Sequence, residues 1–167
     1  MCHYSLKLAC AGLALSIGLA GCGGGSAPSV GATAICELPL AYANSGTSGN
    51  RIDPVAQTVD RQFNPCAINR VQSLSVGICI NHQQISELSA QLVFPDDSTQ
   101  SLNIQTATAG GSCLIGGQLL QTTLPSTSLQ SLQSLSGNWS LKVTDNNPST
   151  TTIGSLIGWS LRGEGLQ

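Results

Sequence analysis

From Ser73 onward, apolar and polar residues take turns along the chain. Leu74, Val76, Ile78 and Ile80 fall on one face, and Ser75, Gly77, Cys79 and Asn81 on the other. This alternation predicts a half-buried strand. Leu88, Ala90, Leu92 and Phe94 repeat the rhythm against Glu87, Ser89, Gln91 and Val93, and Pro95-Asp96-Asp97-Ser98 supplies a turn. Leu102, Ile104 and Thr106 predict a third strand ended by Gly110-Gly111, and Leu119 to Leu124 a fourth ended by Pro125. The spacing of Leu129, Leu132 and Leu135 fits either a loop or one turn of helix. Ile52 to Asn69 reads as an edge strand with loops. Gly137 to Asp145 alternates again, with Trp139, Leu141 and Val143 inward, and Gly154 to Leu161 places Trp159 and Leu161 on one face. These last two segments are expected to pair as a β-hairpin. Short strands at regular spacing, broken by turn residues, predict an all-β sandwich.

The N-terminal segment has a different character. Lys7 precedes an apolar run from Leu8 to Leu19, the profile of an export signal and too short to cross a bilayer as a helix. The run ends in Leu19-Ala20-Gly21-Cys22, which resembles the lipobox of bacterial lipoprotein precursors. The resemblance implies a signal peptide over residues 1–21 and lipidation of Cys22. It further implies a lipid membrane as partner and a place in the bacterial cell envelope, at the outer membrane where one exists, because Gly23 rather than aspartate follows the cysteine. A Gly/Ser-rich tether is expected over residues 22–35, and the folded domain over 36–167.

Composition limits the function. Hydrophobic residues make up 41% of the chain and charged residues 8%, with a net charge of -2 that becomes -3 once Lys7 is removed. A chain that must neutralise phosphates needs the opposite balance, so nucleic acid is excluded as a partner. After export, Cys36, Cys66, Cys79 and Cys113 remain. An oxidising compartment pairs them as two disulfides in one of three connectivities. Cys36 with Cys66 and Cys79 with Cys113 is preferred, because each pair closes a loop of about 30 residues, a length at which bridges stabilise well. Cys79 and His82 have a CxxH spacing, but no second ligand pair completes a tetrahedral metal site.

The strand from Gly137 and its successor read G-x-W-x-L-x-V-x-D and then G-x-L-x-x-W-x-L, which resembles the C-terminal signature of the P domain (Homo B domain) that accompanies subtilisin-like proprotein convertases. Val76 to His82 is similar to that family's V-x-V-x-I-x-H strand. Glu87-Leu88 stands where G-D-L is usual, and Asp96-Asp97 where the turn carries Ser-Gly. The resemblance spans about Ile52 to Arg162 and implies a jelly-roll, galactose-binding-like β-sandwich. It gives His82, Trp139, Asp145, Gly154 and Trp159 roles as structural motif residues. Some family members bind calcium through turn carboxylates, which makes Glu87, Asp96 and Asp145 calcium candidates; the competing role for Asp145 is an Asx-turn.

No enzyme is expected. His82 is the one histidine left after export, there is no G-x-S-x-G or subtilisin-type motif, and surface acids such as Asp96, Asp97, Asp145 and Glu164 are not by themselves a glycosidase pair. The protease domain that usually precedes a P domain is not expected between the tether and the sandwich. The sequence therefore predicts a non-catalytic, membrane-anchored interaction domain that binds or stabilises an envelope protein, with a serine protease as the candidate partner. A carbohydrate-binding surface lipoprotein is the alternative, weakened by a shortage of exposed aromatic platforms, for which Tyr42 and Phe63 are the candidates.

Overall fold

The structure, a computed structural model, describes residues 31–42, 51–52, 56–113, 116–147 and 154–167. The expected signal segment and Cys22 lie outside the described residues. Among the described residues, ten strands form two antiparallel sheets: β1 (Thr33–Tyr42), β2 (Arg51–Ile52), β3 (Gln57–Phe63), β4 (Arg70–Asn81), β5 (Leu88–Val93), β6 (Thr99–Leu102), β7 (Thr108–Ser112), β8 (Gln118–Thr123), β9 (Gly137–Asp145) and β10 (Gly154–Leu166). The larger sheet runs β1-β10-β4-β8-β7 with β2 also pairing β10, and the smaller runs β3-β9-β5-β6. This is an all-β sandwich of the predicted class.

The alternation seen in the sequence sets the layers. Leu74, Val76, Ile78 and Ile80 of β4 meet Leu88, Ala90 and Leu92 of β5 and Trp139, Leu141 and Val143 of β9 in one buried cluster. Trp139 and Trp159 are the largest fully buried side chains. In an aromatic-poor core, these two rings fill volume that several aliphatic residues would otherwise have to fill.

One expectation fails. β9 and β10 do not form a hairpin: β9 pairs β3 and β5 in one sheet, whereas β10 pairs β1, β2 and β4 in the other. Each tryptophan thus enters the core from its own sheet. A hairpin would have put both rings on one side and left the facing layer without bulk. Within β10 the register slips between Leu156 and Gly158. The extra residue of this β-bulge turns Leu156 and Trp159 to the same inner face despite their odd spacing, which is the physical content of the L-x-x-W interval.

Three smaller differences concern boundaries. β1 begins at Thr33, inside the segment expected to be tether, because Thr33 to Cys36 pair with Leu166 to Gly163 of β10. β6 ends at Leu102 while Ile104 is buried in a turn, and Thr108 to Ser112, expected as a strand end, make the separate edge strand β7. The Leu129 segment holds a single 3-10 turn, Ser126–Leu129. Both disulfides have the preferred pairing. Cys36 of β1 joins Cys66, in the loop after β3, and so links the two sheets; Cys79 of β4 joins Cys113, which follows β7 in the same sheet.

Candidate functional site

Three of the family-motif residues, His82, Asp145 and Gly154, gather where β4 ends, the short 3-10 turn Ile85–Glu87 intervenes, β9 ends and β10 begins. His82, Glu87 and Asp145 each bring a potential ligand atom to within 4.8 Å of the others. The side chain of His82 is fully buried and that of Asp145 is 2% exposed, so their polar atoms need protein partners. They have them. The backbone N–H of Gln84 donates to His82 Nδ1 at 3.1 Å, which places the ring proton on Nε2, and Nε2–H donates to Asp145 Oδ2 at 3.3 Å. Asp145 Oδ1 accepts from the backbone N–H of Asn147 at 3.0 Å, an Asx-turn. The side-chain amide of Asn147 donates to Glu87 Oε1 at 2.8 Å, and the backbone N–H of Asn146 to the Glu87 carbonyl at 2.9 Å.

Gly154 completes the arrangement. A Cβ there would overlap the His82 ring and sit 2.8 Å from the Asn81 carbonyl oxygen, so the start of β10 passes the histidine only as glycine.

This network is committed to structure. Both imidazole nitrogens are engaged, which leaves none to take a proton from a nucleophile. Three of the four carboxylate oxygens of Glu87 and Asp145 accept hydrogen bonds, and Glu87 Oε2 alone is buried without a partner. Calcium takes six to eight oxygen ligands; Glu87 and Asp145 offer four at most, so a calcium shell here would need further oxygens from backbone or solvent. Asp96 is remote from the cluster. It follows β5 whereas Glu87 precedes it, a separation of about 20 Å at strand rise, and its carboxylate accepts from Ser98 N at 3.0 Å and Ser98 Oγ at 2.5 Å. These bonds hold its carboxyl below the usual range.

The tryptophans are held through their indole nitrogens. Trp139 Nε1 donates to the Leu135 carbonyl at 2.8 Å and its ring packs edge-on to Phe94, with centroids 5.1 Å apart; Trp159 Nε1 donates to the Val59 carbonyl at 3.1 Å. The sequence reading missed Arg61. It shares the inward parity of Val59 and Phe63 on edge strand β3, and Arg61 Nη1 donates to the carbonyls of Pro39 and Trp159, each at 2.6 Å, with the guanidinium 5.7 Å from the Trp159 ring centroid. A lone arginine at inward parity was the available signal. Phe63 is buried at 3% exposure and offers no platform for a sugar. Among the described residues, no helix is long and apolar enough to cross a membrane.

Comparison with known proteins gives these features a family. The proprotein convertase P-domain family matches residues 71–163. No curated protein matches the chain. Among solved structures, the serine protease of Aeromonas sobria in complex with its chaperone is 22% identical, with a TM-score of 0.57, over 80% of this chain and 27% of that one. The same protease without the chaperone gives 22%, 0.55, 79% and 27%. The chain spans about a quarter of the length of these proteases. It belongs to the proprotein convertase P-domain family, whose members are non-catalytic accessory domains of subtilisin-like serine proteases.

Proposed function

We propose that this P domain works as a membrane-anchored interaction domain: lipidated at Cys22 and held in the bacterial envelope, it binds or stabilises another envelope protein, a serine protease being the favoured partner. The observation that carries this reading is the combination of a P-domain sandwich with a His82 whose two nitrogens are both spent on structural hydrogen bonds. A domain of this family without chemistry of its own contributes through a surface offered to a neighbour. The lipobox-like Leu19 to Cys22 and the Gly/Ser-rich residues after it support the anchor and give the domain reach from the membrane. Similarity to a serine protease solved with its chaperone supports the choice of partner class.

The test is genetic and quantitative. In a strain lacking the chain, the half-life of one envelope serine protease is expected to fall and to recover when the chain is restored, but not when it is restored with Cys22→Ala. Unchanged half-life and activity of every envelope serine protease would remove the basis for this reading.

A further inference from the structure

The outer face of the larger sheet carries a trough of about 580 Å³ running across its strands between β1 and β7. Its size lies within the range of small-molecule sites. Two adjacent cross-strand rows build it. In the first, Glu37 of β1 lies opposite Arg162 of β10, Arg162 opposite Ser75 of β4, and Ser75 opposite Thr123 of β8. In the second, Ser160 lies opposite Gly77, Gly77 opposite Gln121, and Gln121 opposite Thr108 of β7. Gly77 puts no side chain at the centre, and the Ser160 hydroxyl occupies that space, 2.5 Å from where a Cβ would stand. Five strands at their usual spacing make the trough about 19 Å across.

The lining chemistry selects the ligand class. Arg162 is spent on two carboxylates, Glu37 at 3.1 Å and Glu164 at 2.9 Å, so it presents no free positive charge to a phosphate or polyanion. No aromatic residue lines the trough; its apolar lining is Leu38, Pro39 and Leu40 of β1, with the inward-facing Val76 and Leu161 buried beneath it. The rest of the lining is the hydroxyls of Ser75, Thr123, Thr108 and Ser160 and the amide of Gln121, with Ser75 and Thr123 hydrogen-bonded to each other at 3.1 Å and a carboxylate–guanidinium pair at the β1 end. This set donates and accepts densely at low net charge, matching a ligand whose surface is mostly hydroxyl groups.

We infer that this trough binds an uncharged oligosaccharide. The site lies on the sheet face, away from the loop ends and the His82 cluster, and does not depend on the interaction-domain reading. Without an aromatic platform, affinity comes from hydrogen bonds and is weak.

Amide chemical shifts of the folded, isotope-labelled domain are recorded while chitotetraose, cellotetraose or maltotetraose is added to millimolar concentration, with oligogalacturonate as the anionic comparison. The expected result is saturable shifts at Ser75, Gly77, Gln121 and Ser160 with at least one neutral sugar. Gln121→Ala should weaken binding on the order of tenfold, as loss of a ligand hydrogen bond does, while leaving the rest of the spectrum unchanged. Thr123→Ala serves as a second exposed, fold-neutral variant. Absence of saturable shifts, shifts confined to the loops, stronger binding of the anionic sugar, or unchanged binding in both variants overturns the inference.

Discussion

The guanidinium of Arg61 lies 5.7 Å from the ring centroid of Trp159, and its Nη1 donates to the Trp159 carbonyl at 2.6 Å, while the Trp159 indole nitrogen donates back across the sandwich to the Val59 carbonyl. One charged side chain of the smaller sheet is thereby fastened to the largest ring of the other. Arg61 also holds the Pro39 carbonyl, so it ties the edge strands β1 and β3 together at the open side of the sandwich. An inward-pointing charge on an edge strand also discourages pairing with another chain.

Arg61→Met keeps much of the apolar stem and removes these hydrogen bonds. Loss of charged hydrogen bonds at a partly buried site costs about 2–3 kcal/mol, which urea unfolding would measure. Arg61→Lys should recover only part, because its ammonium is more strongly hydrated and lacks the flat guanidinium face that lies 5.7 Å from the Trp159 ring centroid. An unchanged midpoint for Arg61→Met would show the contact to be incidental.

The two disulfides should separate in a reduction experiment. Cys79 is fully buried and Cys113 is 7% exposed, whereas Cys36 and Cys66 are only partly buried. Graded thiol reductant should open Cys36–Cys66 first, read by alkylation and mass spectrometry. Replacing either pair with alanine should cost about 3–4 kcal/mol, given separations of 30 and 34 residues.

The His82 network predicts a severe effect from small changes. Gly154→Ala drives a methyl into the His82 ring and should cost about 3 kcal/mol or more. Asp145→Ala leaves the buried Nε2–H of His82 without an acceptor, at about 2–3 kcal/mol. Because a single free carboxylate oxygen is left in the cluster, calcium and chelator are expected to give the same Tm by calorimetry; a Tm raised several degrees by calcium would contradict this.

The turn after β5 carries Asp97 at φ 64°, the left-handed region, where the family's turn has glycine. Asp97→Gly should stabilise the domain by about 1 kcal/mol. Its neighbour Asp96 has a carboxyl held below the usual value by Ser98. The stabilisation from this pair is therefore present at neutral pH and lost as pH falls through the depressed folded value. Ser98→Ala should flatten that acid-side dependence, which unfolding midpoints across the acidic range would reveal.

The strands that bury one face were legible in the sequence because their alternation is the physical cause of their burial. β4, β5 and β9 show it residue by residue, and Trp139 and Trp159 face inward as their parity requires. Sheet membership was not legible. β9 and β10 are successive, amphipathic and joined by a turn-rich segment, which is also what a hairpin looks like; their assignment to opposite sheets depends on long-range packing of the two rings. β7, with all five residues exposed, lacks any apolar signal and is a strand only because β8 pairs with it. At the site, the motif named His82 and Asp145, but Asn147, which bonds both Asp145 and Glu87, and the backbone donor at Gln84 arise from turn geometry that no spacing rule marks. Arg61 sits at inward parity on β3, but nothing local reveals which ring it meets across the core.

The account's central claim is the proposal that this P domain binds and stabilises another envelope protein. The direct measurement is affinity purification of the lipidated chain from crosslinked native membranes, with quantitative mass spectrometry of what is retained. The account predicts recovery of one serine protease at near-equal stoichiometry, diminished when Cys22→Ala releases the chain from the membrane. Recovery of no protein above background, with the chain itself intact and lipidated, would contradict it.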